Sequence, residues 1–287
     1  MGNPRTLTKE AEEAVLRAEL LIGAKRLVEG FPKAGASRAA AVKADEILSC
    51  IQAHDGLKEI GVLMSGDVGF YSGAKKLVEL LGEYDVEILC GISSLQYFCA
   101  RLNTSWDDAK VVSLHGRDAF LPAIVDTNRK TFVLTGGGHS AAALCGQLCE
   151  YGLENVGVSV GENLSYDTER VVTGTAAQLA AEHFDSLSVM LVENPGAREM
   201  SRATHGLPDE AFVRGDVPMT KAEVRAASIA KLSPRAGDVI YDVGAGTGSV
   251  SVELALISAQ GVVYAVEKNE KALALLRENR EKFGVHN

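Results

Sequence analysis

Residues 239–253, VIYDVGAGTGSVSVE, combine an apolar strand pattern, a glycine-rich loop and the start of a helix. Gly244 and Gly246 allow the backbone to turn tightly and to approach a ligand without a Cβ in the way. The free N–H groups at the start of the following helix favour an anionic or carboxylate group. This stretch therefore predicts a strand–loop–helix unit that binds a nucleotide-type ligand.

Acidic residues stand where such a ligand needs hydrogen-bond acceptors. Asp242 is placed to accept from a ligand ammonium, and Glu267 follows the next predicted strand about 20 residues later, where an acid accepts both ribose hydroxyls. A tight turn with a solvated glutamate and an NAD site are the alternatives. The Asp-x-Gly-x-Gly-x-Gly form resembles the first motif of class I methyltransferases more than that of dehydrogenases. That resemblance implies S-adenosylmethionine (SAM) at Asp242, Gly244, Gly246, Gly248 and Glu267.

Strand-like and helix-like stretches alternate along the whole chain. The strand pattern is found at 20–22, 60–64, 86–89, 110–114, 131–134, 156–160, 188–192, 239–243 and 262–266. Helical periods are found at 25–28, 39–53, 75–81, 95–102, 141–151, 221–232, 250–257 and 270–283, and Thr8 is predicted to cap a further helix. This alternation predicts α/β layers with largely parallel strands, whose ligands lie beyond the carboxyl ends of the strands.

Composition and charge exclude several classes of protein. The 287 residues predict about two domains, and the proline-containing stretch 193–217 predicts a boundary. A net charge of −9 argues against binding nucleic-acid backbones over the whole surface. The first 15 residues are charged and contain no apolar h-region, so we expect no secretion signal, and no apolar run reaches the roughly 18 residues that span a bilayer. The five cysteines form no metal-binding pattern, so we expect reduced thiols in a cytoplasmic protein.

Two polar motifs follow neighbouring predicted strands in the first part of the chain. Residues 65–71 are SGDVGFY and residues 91–96 are GISSLQ. Each alone is equally well explained as a polar turn. Together they resemble the tetrapyrrole methylases, which are class III SAM-dependent enzymes, and in particular the C5-methylating member. The resemblance covers about residues 1–200 and implies SAM between two lobes, near Gly66, Asp67, Ser93, Ser94 and Thr135.

Residues 218–225, PMTKAEVR, precede the glycine-rich loop. Thr220 and Glu223 fit a capping box, which is one explanation of this string. The full string also resembles the start of the C15-methylating, decarboxylating domain of precorrin-6Y methyltransferases, which make the corrin ring of cobalamin. The domain order matches that fused enzyme. We therefore expect a two-lobed class III tetrapyrrole methylase domain at 1–200, a linker at 201–217, and the start of a Rossmann-like class I methyltransferase domain at 218–287. From this resemblance we also expect a chain that is truncated at both ends, with the first strand of the methylase domain missing.

These resemblances imply a SAM-dependent methyltransferase that acts on precorrin-6Y or cobalt-precorrin at C5 and, in the complete enzyme, at C15 with decarboxylation. Methyl transfer from SAM requires orientation of the reactants rather than a nucleophile or a metal, so no catalytic residue is assigned. His115 and Arg117 follow a predicted strand, and Arg117 is a candidate for holding a substrate carboxylate, with a polar loop as the alternative. The class III resemblance further implies a homodimer, while the net charge and the lack of a long apolar run lead us to expect no nucleic-acid or membrane partner. A class III enzyme for ribosomal RNA or diphthamide and a non-catalytic SAM-binding fragment are the remaining hypotheses.

Overall fold

The computed structural model describes residues 3–31, 35–114, 119–136, 138–198 and 205–287. The described backbone divides into two compact units. The first contains the residues up to Asp107 together with Gly161–Val171, and the second contains Asp108–Val160 and Val172–Asn287.

The secondary structure alternates between strands and helices. The strands are β1 (Leu20–Gly23), β2 (Ser37–Ala40), β3 (Ile60–Leu63), β4 (Lys110–Ser113), β5 (Lys130–Leu134), β6 (Gly157–Glu162), β7 (Arg170–Thr175), β8 (Ser188–Glu193), β9 (Val239–Val243) and β10 (Val262–Val266). The helices are α1 (Lys9–Arg17), α2 (Lys25–Val28), α3 (Ala44–Gln52), α4 (Ala74–Leu80), α5 (Ser94–Arg101), α6 (Leu121–Thr127), α7 (Ala141–Glu150), α8 (Ala176–Leu179), α9 (Ala222–Leu232), α10 (Ser249–Ile257) and α11 (Glu270–Lys282). Thr8 caps α1 by accepting from the Ala11 amide, as predicted.

The first unit contains a three-stranded parallel sheet in the order β2-β1-β3. The apolar side chains of the central strand β1 are at most 1% exposed, because both faces of a central parallel strand are covered. Helices α3 and α4 supply Ile47, Ile51 and Leu77 to the same core. Strand β3 ends at Leu63, so the motif at 65–71 begins at the carboxyl edge of this sheet.

A five-stranded sheet in the order β4-β5-β8-β6-β7 forms the second architectural element. Helices α6 and α7 cover it with apolar side chains, among them Leu121, Val125, Leu144 and Leu148. Strands β4 and β5 are parallel, as predicted, whereas β5 and β8 are antiparallel. The sequence of β8 did not reveal this direction, since an apolar run that is buried on both faces fits either orientation.

Residues 222–287 of the second unit form a two-stranded parallel sheet, β9 and β10, with helices α9, α10 and α11. Helix α10 contacts both strands. Alternation along the paired strands places five exposed apolar or aromatic side chains on one face. They are Val239, Tyr241, Val243, Tyr264 and Val266, and the two tyrosine rings stack with centroids 5.0 Å apart.

Several sequence predictions about local structure were wrong. Residues 86–89 show a strand-like alternation but are not in a strand, and Ile88 is 57% exposed. Residues 39 and 40 belong to the strand β2 instead of the start of a helix, because they pair with β1. The capping box of Thr220 and Glu223 is not formed, because Lys221 is the N-cap of α9. Strand β7 and helix α6 were not predicted.

None of the helices in the described ranges combines the length and the apolar character needed to cross a lipid bilayer.

Candidate functional site

The loop after β3 is joined to the segment before α5 by the side chain of Asp67. Its Oδ1 accepts a hydrogen bond from the Gly69 amide at 2.8 Å, and its Oδ2 accepts one from the Gly91 amide at 3.1 Å. One carboxylate therefore connects the motifs 65–71 and 91–96. The two motifs meet at the sheet edge as expected, although the segment between them is not a strand.

The same two loops approach each other so closely that position 91 requires glycine. A Cβ on Gly91 would lie 2.3 Å from the carbonyl oxygen of Gly66 and 3.2 Å from its carbonyl carbon. Gly66 itself has φ +80°, a left-handed conformation that glycine adopts without strain. The sequence analysis named Gly66 and Asp67 as site residues but not Gly91. Gly91 could have been found from its position, because it is the glycine that opens the second motif.

Ser93 and Ser94 begin helix α5. The Ser93 hydroxyl accepts from the Gln96 amide at 3.1 Å, and the Gln96 side chain accepts from the Ser93 amide at 2.9 Å. This capping box satisfies two amides that a helix start would otherwise leave unpaired. Ser93 is 4% exposed, whereas Ser94 is only partly buried. The structure therefore gives Ser93 a helix-capping role, and a role of either hydroxyl in binding a ligand stays a prediction.

A charged cluster fixes the other end of α5. Glu169 accepts hydrogen bonds from the Tyr97 hydroxyl at 2.7 Å and from the Ser165 amide at 2.6 Å, and the Arg101 guanidinium lies 2.7 Å from it. Burial opposes ionisation of Glu169, but these hydrogen bonds and the arginine charge outweigh it and lower the pKa of this carboxyl. Burial, together with the Glu169 charge, raises the pKa of Tyr97. This cluster was not predicted, since its members are up to 72 residues apart.

Of the remaining residues predicted for the first domain, only Thr135 lies in the part of the chain that the structure describes. Thr135 follows β5 in the second unit, where its hydroxyl donates to the Ser188 carbonyl at 2.6 Å, and it is 8% exposed. This bond ties the end of β5 to the start of β8. A contact of Thr135 with a ligand remains a prediction. His115 and Arg117 lie outside the described residues.

The glycine-rich loop after β9 forms the turn that its sequence predicts. Gly244, Gly246 and Gly248 all have positive φ, at +83°, +58° and +79°. The amide of Gly244 donates to the Val266 carbonyl at 2.8 Å, which attaches the loop to the end of β10. A Cβ on Gly248 would lie 2.8 Å from Cγ of Leu276, so this glycine allows close packing of α11 against the loop.

Two carboxylates flank this loop at the ends of the paired strands. Glu267 accepts from the Gly246 amide at 2.8 Å through Oε2, and from the Lys268 and Asn269 amides through Oε1. The hydrogen bonds from Asn269 and Gly246 lower the pKa of Glu267. Asp242 accepts from the Ser251 hydroxyl at 2.6 Å. The structure thus brings together Asp242, the loop and Glu267, and it shows Glu267 bonded to the loop that it was predicted to complement.

No group of three or more His, Cys, Asp or Glu side chains in the described parts of the chain is placed to hold a metal ion.

Two known families match separate parts of the chain. Residues 1–180 match the Tetrapyrrole (Corrin/Porphyrin) Methylases, and residues 210–287 match the Precorrin methyltransferase domain. Together these segments include both glycine-containing sites described above.

Two curated proteins are similar to this chain over different lengths. A precorrin-6Y C(5,15)-methyltransferase (decarboxylating) of Sinorhizobium sp is 30% identical over 229 residues, which are 78% of this chain and 55% of the relative. A probable cobalt-precorrin-6B C(15)-methyltransferase (decarboxylating) of Pyrobaculum calidifontis is 60% identical over 85 residues, which are 29% of this chain and 44% of the relative. The chain therefore spans about half the length of these curated relatives.

A solved structure shows the fold of the larger part. The uroporphyrin-III C-methyltransferase of Thermus thermophilus, complexed with S-adenyl homocysteine, is similar with a TM-score of 0.55 and 19% identity. The match covers 67% of this chain and 93% of that protein.

Proposed function

The chain belongs to the tetrapyrrole (corrin/porphyrin) methylases, and from this premise we propose that it is a SAM-dependent C-methyltransferase of cobalamin biosynthesis. Its proposed acceptor is C5 of precorrin-6Y or of a cobalt-precorrin. The observation that supports this choice is the order of the two matched segments, a tetrapyrrole methylase followed by a precorrin methyltransferase domain. The relative from Sinorhizobium, whose name includes both C5 and C15, aligns across 229 residues of this arrangement.

SAM is the proposed cofactor, and it supplies an electrophilic methyl group on a sulfonium centre. We assign Gly66, Asp67, Ser93 and Ser94 to its binding in the first unit. Asp67 holds the two loops together through amide hydrogen bonds, and this fixes the backbone groups that line the site. The proposed role of these residues is to orient the reactants, because methyl transfer from SAM requires no nucleophilic side chain.

The glycine-rich loop of the second unit is proposed as a second SAM site, held by Asp242, Gly244, Gly246, Gly248 and Glu267. A Cβ on Gly244 would meet no atom within 4 Å, so the loop is open on the side where a ligand would approach. Glu267 is ordered by three backbone amides and retains further acceptor capacity for hydroxyl groups. As part of a complete domain of this kind, the loop would serve C15 methylation with decarboxylation of the acetate side chain.

We also propose Arg117 as a ligand of a substrate carboxylate, a cytoplasmic homodimer as the working form, and no nucleic-acid or membrane partner. Cysteines that are expected to be reduced are typical of a cytoplasmic protein, and the net charge of −9 argues against a nucleic-acid backbone as partner. Light scattering at micromolar concentration tests the dimer.

Calorimetric titration with S-adenosylhomocysteine (SAH) tests the two SAM sites. We expect two equivalents to bind to the wild-type chain, one to be lost in Asp67→Ala, and the other to be lost in Glu267→Ala. Asp55→Ala, which replaces an exposed aspartate of the first unit, is the matched control and should bind two. If Asp67→Ala binds SAH as the wild type does, the role assigned to Asp67 is wrong.

Transfer of label from SAM identifies the acceptor. We expect label in precorrin-6Y or the cobalt-precorrin and none in ribosomal RNA. Label in RNA would indicate a different class III methyltransferase. SAH binding without transfer to any corrin precursor would indicate a non-catalytic SAM-binding chain.

A further inference from the structure

A buried arginine lies outside the residues assigned to SAM. Arg225 on α9 is 0% exposed, and its Nε donates to Glu253 on α10 at 2.6 Å. Its two terminal nitrogens donate to the carbonyl oxygens of Thr220 and Leu207, both at 2.6 Å, and one of them also donates to Asp209 at 3.2 Å. The guanidinium therefore connects two helices with the chain that precedes α9.

The partner carboxylate is equally enclosed. Glu253 is 1% exposed and also accepts from the Gly206 and Leu207 amides, at 2.5 and 3.2 Å. The Phe212 ring covers the guanidinium, with its centroid 4.7 Å from Cζ of Arg225. A buried ion pair seldom stabilises a fold more than a well-packed apolar pair of similar size does. The specific contribution of Arg225 is thus the positioning of main-chain carbonyls, which an apolar side chain cannot bind.

The segment that Arg225 holds lies beside the glycine-rich loop. The Pro218 carbonyl oxygen is 3.7 Å from the position that a Cβ on Gly246 would occupy. Residue 220, whose carbonyl binds Arg225, is two positions further along the same segment. On the neighbouring side, Asn279 donates to the Thr247 carbonyl at 3.0 Å and to the Val213 carbonyl at 3.1 Å. The chain before α9 is thereby attached to the loop from two directions.

We propose that Arg225 is a positioning residue that holds residues 218–220 against the glycine-rich loop, so that this segment forms a wall of the second SAM site before the ligand binds. The inference rests on the proposed function of that loop. A segment that is already ordered in the free protein does not have to be ordered on binding, and this raises affinity. Without the Thr220 and Leu207 bonds, the segment would have to be ordered by the ligand.

Arg225→Lys is the test variant, because lysine keeps the positive charge opposite Glu253 but lacks the planar fork that reaches several acceptors. We expect SAH to bind the Glu267-dependent site at least about tenfold more weakly, because two charge-assisted hydrogen bonds to carbonyls are lost. Hydrogen exchange of the 219–221 amides should be faster than in wild type without SAH and equal to wild type at saturating SAH. A residue with a purely stabilising role would instead speed exchange across the whole of residues 222–287, the amides of β9 and β10 included, whereas the positioning role confines the faster exchange to 219–221.

The matched control is Arg198→Lys, which alters another arginine that binds a largely buried carboxylate, Asp126, at 2.6 Å. It should leave SAH affinity within about twofold of wild type. If Arg225→Lys does not fold, the double variant Arg225→Met/Glu253→Met removes the charge pair with similar volume, and the same loss of affinity is expected.

Two outcomes separate this inference from the proposed function. Folded Arg225 variants that bind SAH as tightly as wild type at a Glu267-dependent site would overturn the positioning role alone. A wild-type chain without any Glu267-dependent SAH site would overturn the proposed function of the loop, and the positioning role with it.

Discussion

Replacement of Gly91 by alanine probes the contact between the two loops of the first unit. The added Cβ would lie 2.3 Å from the Gly66 carbonyl oxygen and 3.2 Å from its carbon. These are backbone atoms, so they cannot move aside as the end of a flexible side chain can. The loops must separate by on the order of 1 Å before the carbon and oxygen reach an ordinary contact distance.

This separation disrupts the hydrogen bond from the Gly91 amide to Asp67 Oδ2, now 3.1 Å long. A hydrogen bond to a charged group contributes about 1.5–3 kcal/mol, and overpacking costs about 1–3 kcal/mol. Because the bond is only partly buried, solvent reduces its contribution, and we expect a total near the lower end of these ranges, about 2 kcal/mol. If the SAH-bound state requires the native loop contact, this corresponds to roughly 30-fold weaker binding.

Calorimetric titration with SAH at the Asp67-dependent site measures the effect, and urea unfolding shows how much of it reflects global stability. Gly73→Ala is the control, because a Cβ there meets no atom within 4 Å and the backbone has φ −69°. If Gly91→Ala binds SAH and unfolds as Gly73→Ala does, the proposed dependence of the site on this loop contact is refuted.

Three further predictions concern other parts of the chain. The pKa of Glu169 is lowered from its ordinary value of 4.5, so the ionised carboxylate stabilises the fold above pH 4.5, and this stabilisation is lost as the pH falls through the lowered pKa. The urea midpoint of Glu169→Gln should therefore lie below that of wild type at pH 7 and approach it in acid. Gly248→Ala, with φ +79° and a leucine carbon 2.8 Å from the new Cβ, should lower the free energy of unfolding by about 1–3 kcal/mol, whereas Gly237→Ala, with no atom within 4 Å, should change it little. Burial raises the pKa of Cys145 to about 12, so iodoacetamide at pH 8 should alkylate the exposed Cys90 and leave Cys145 unmodified in peptide mass spectra of the folded protein.

Each of these three predictions has an outcome that would contradict it. A constant difference between Glu169→Gln and wild type across the pH range would show that the carboxylate charge is not responsible. Equal destabilisation by the two glycine variants, or equal labelling of the two cysteines, would contradict the packing described for Gly248 and Cys145.

Local patterns predicted most of the elements but not every pairing. Apolar runs such as 60–64 and 239–243 were recognised because strands of parallel sheets are typically apolar along their whole length in sequence. Ser37–Ala40 was missed because serine, arginine and alanine have no strand pattern, and its pairing with β1 decides its structure. Residues 86–89 failed for the opposite reason, since their alternating pattern lacks a partner strand within the described structure.

The residues of the candidate sites were also predictable from the sequence only in part. The loop residues Asp67, Asp242 and Glu267 were accessible to sequence reasoning, because they follow strands in glycine-containing motifs. The side-chain interactions that hold the neighbouring helices were not accessible, because the partners are remote in sequence. The contact of Tyr97 with Glu169 spans 72 residues, and that of Arg225 with Glu253 spans 28. Such contacts follow from the packing of whole elements, and no local pattern encodes them.

Transfer of a ¹³C-labelled methyl group from SAM to precorrin-6Y, followed by NMR of the tetrapyrrole, tests the proposed activity most directly. We predict one labelled methyl group on C5, formed by the wild-type chain and strongly reduced in Asp67→Ala. Absence of labelled C5 methyl in a folded wild-type chain that binds SAH would contradict the proposal that this chain is a precorrin C5-methyltransferase.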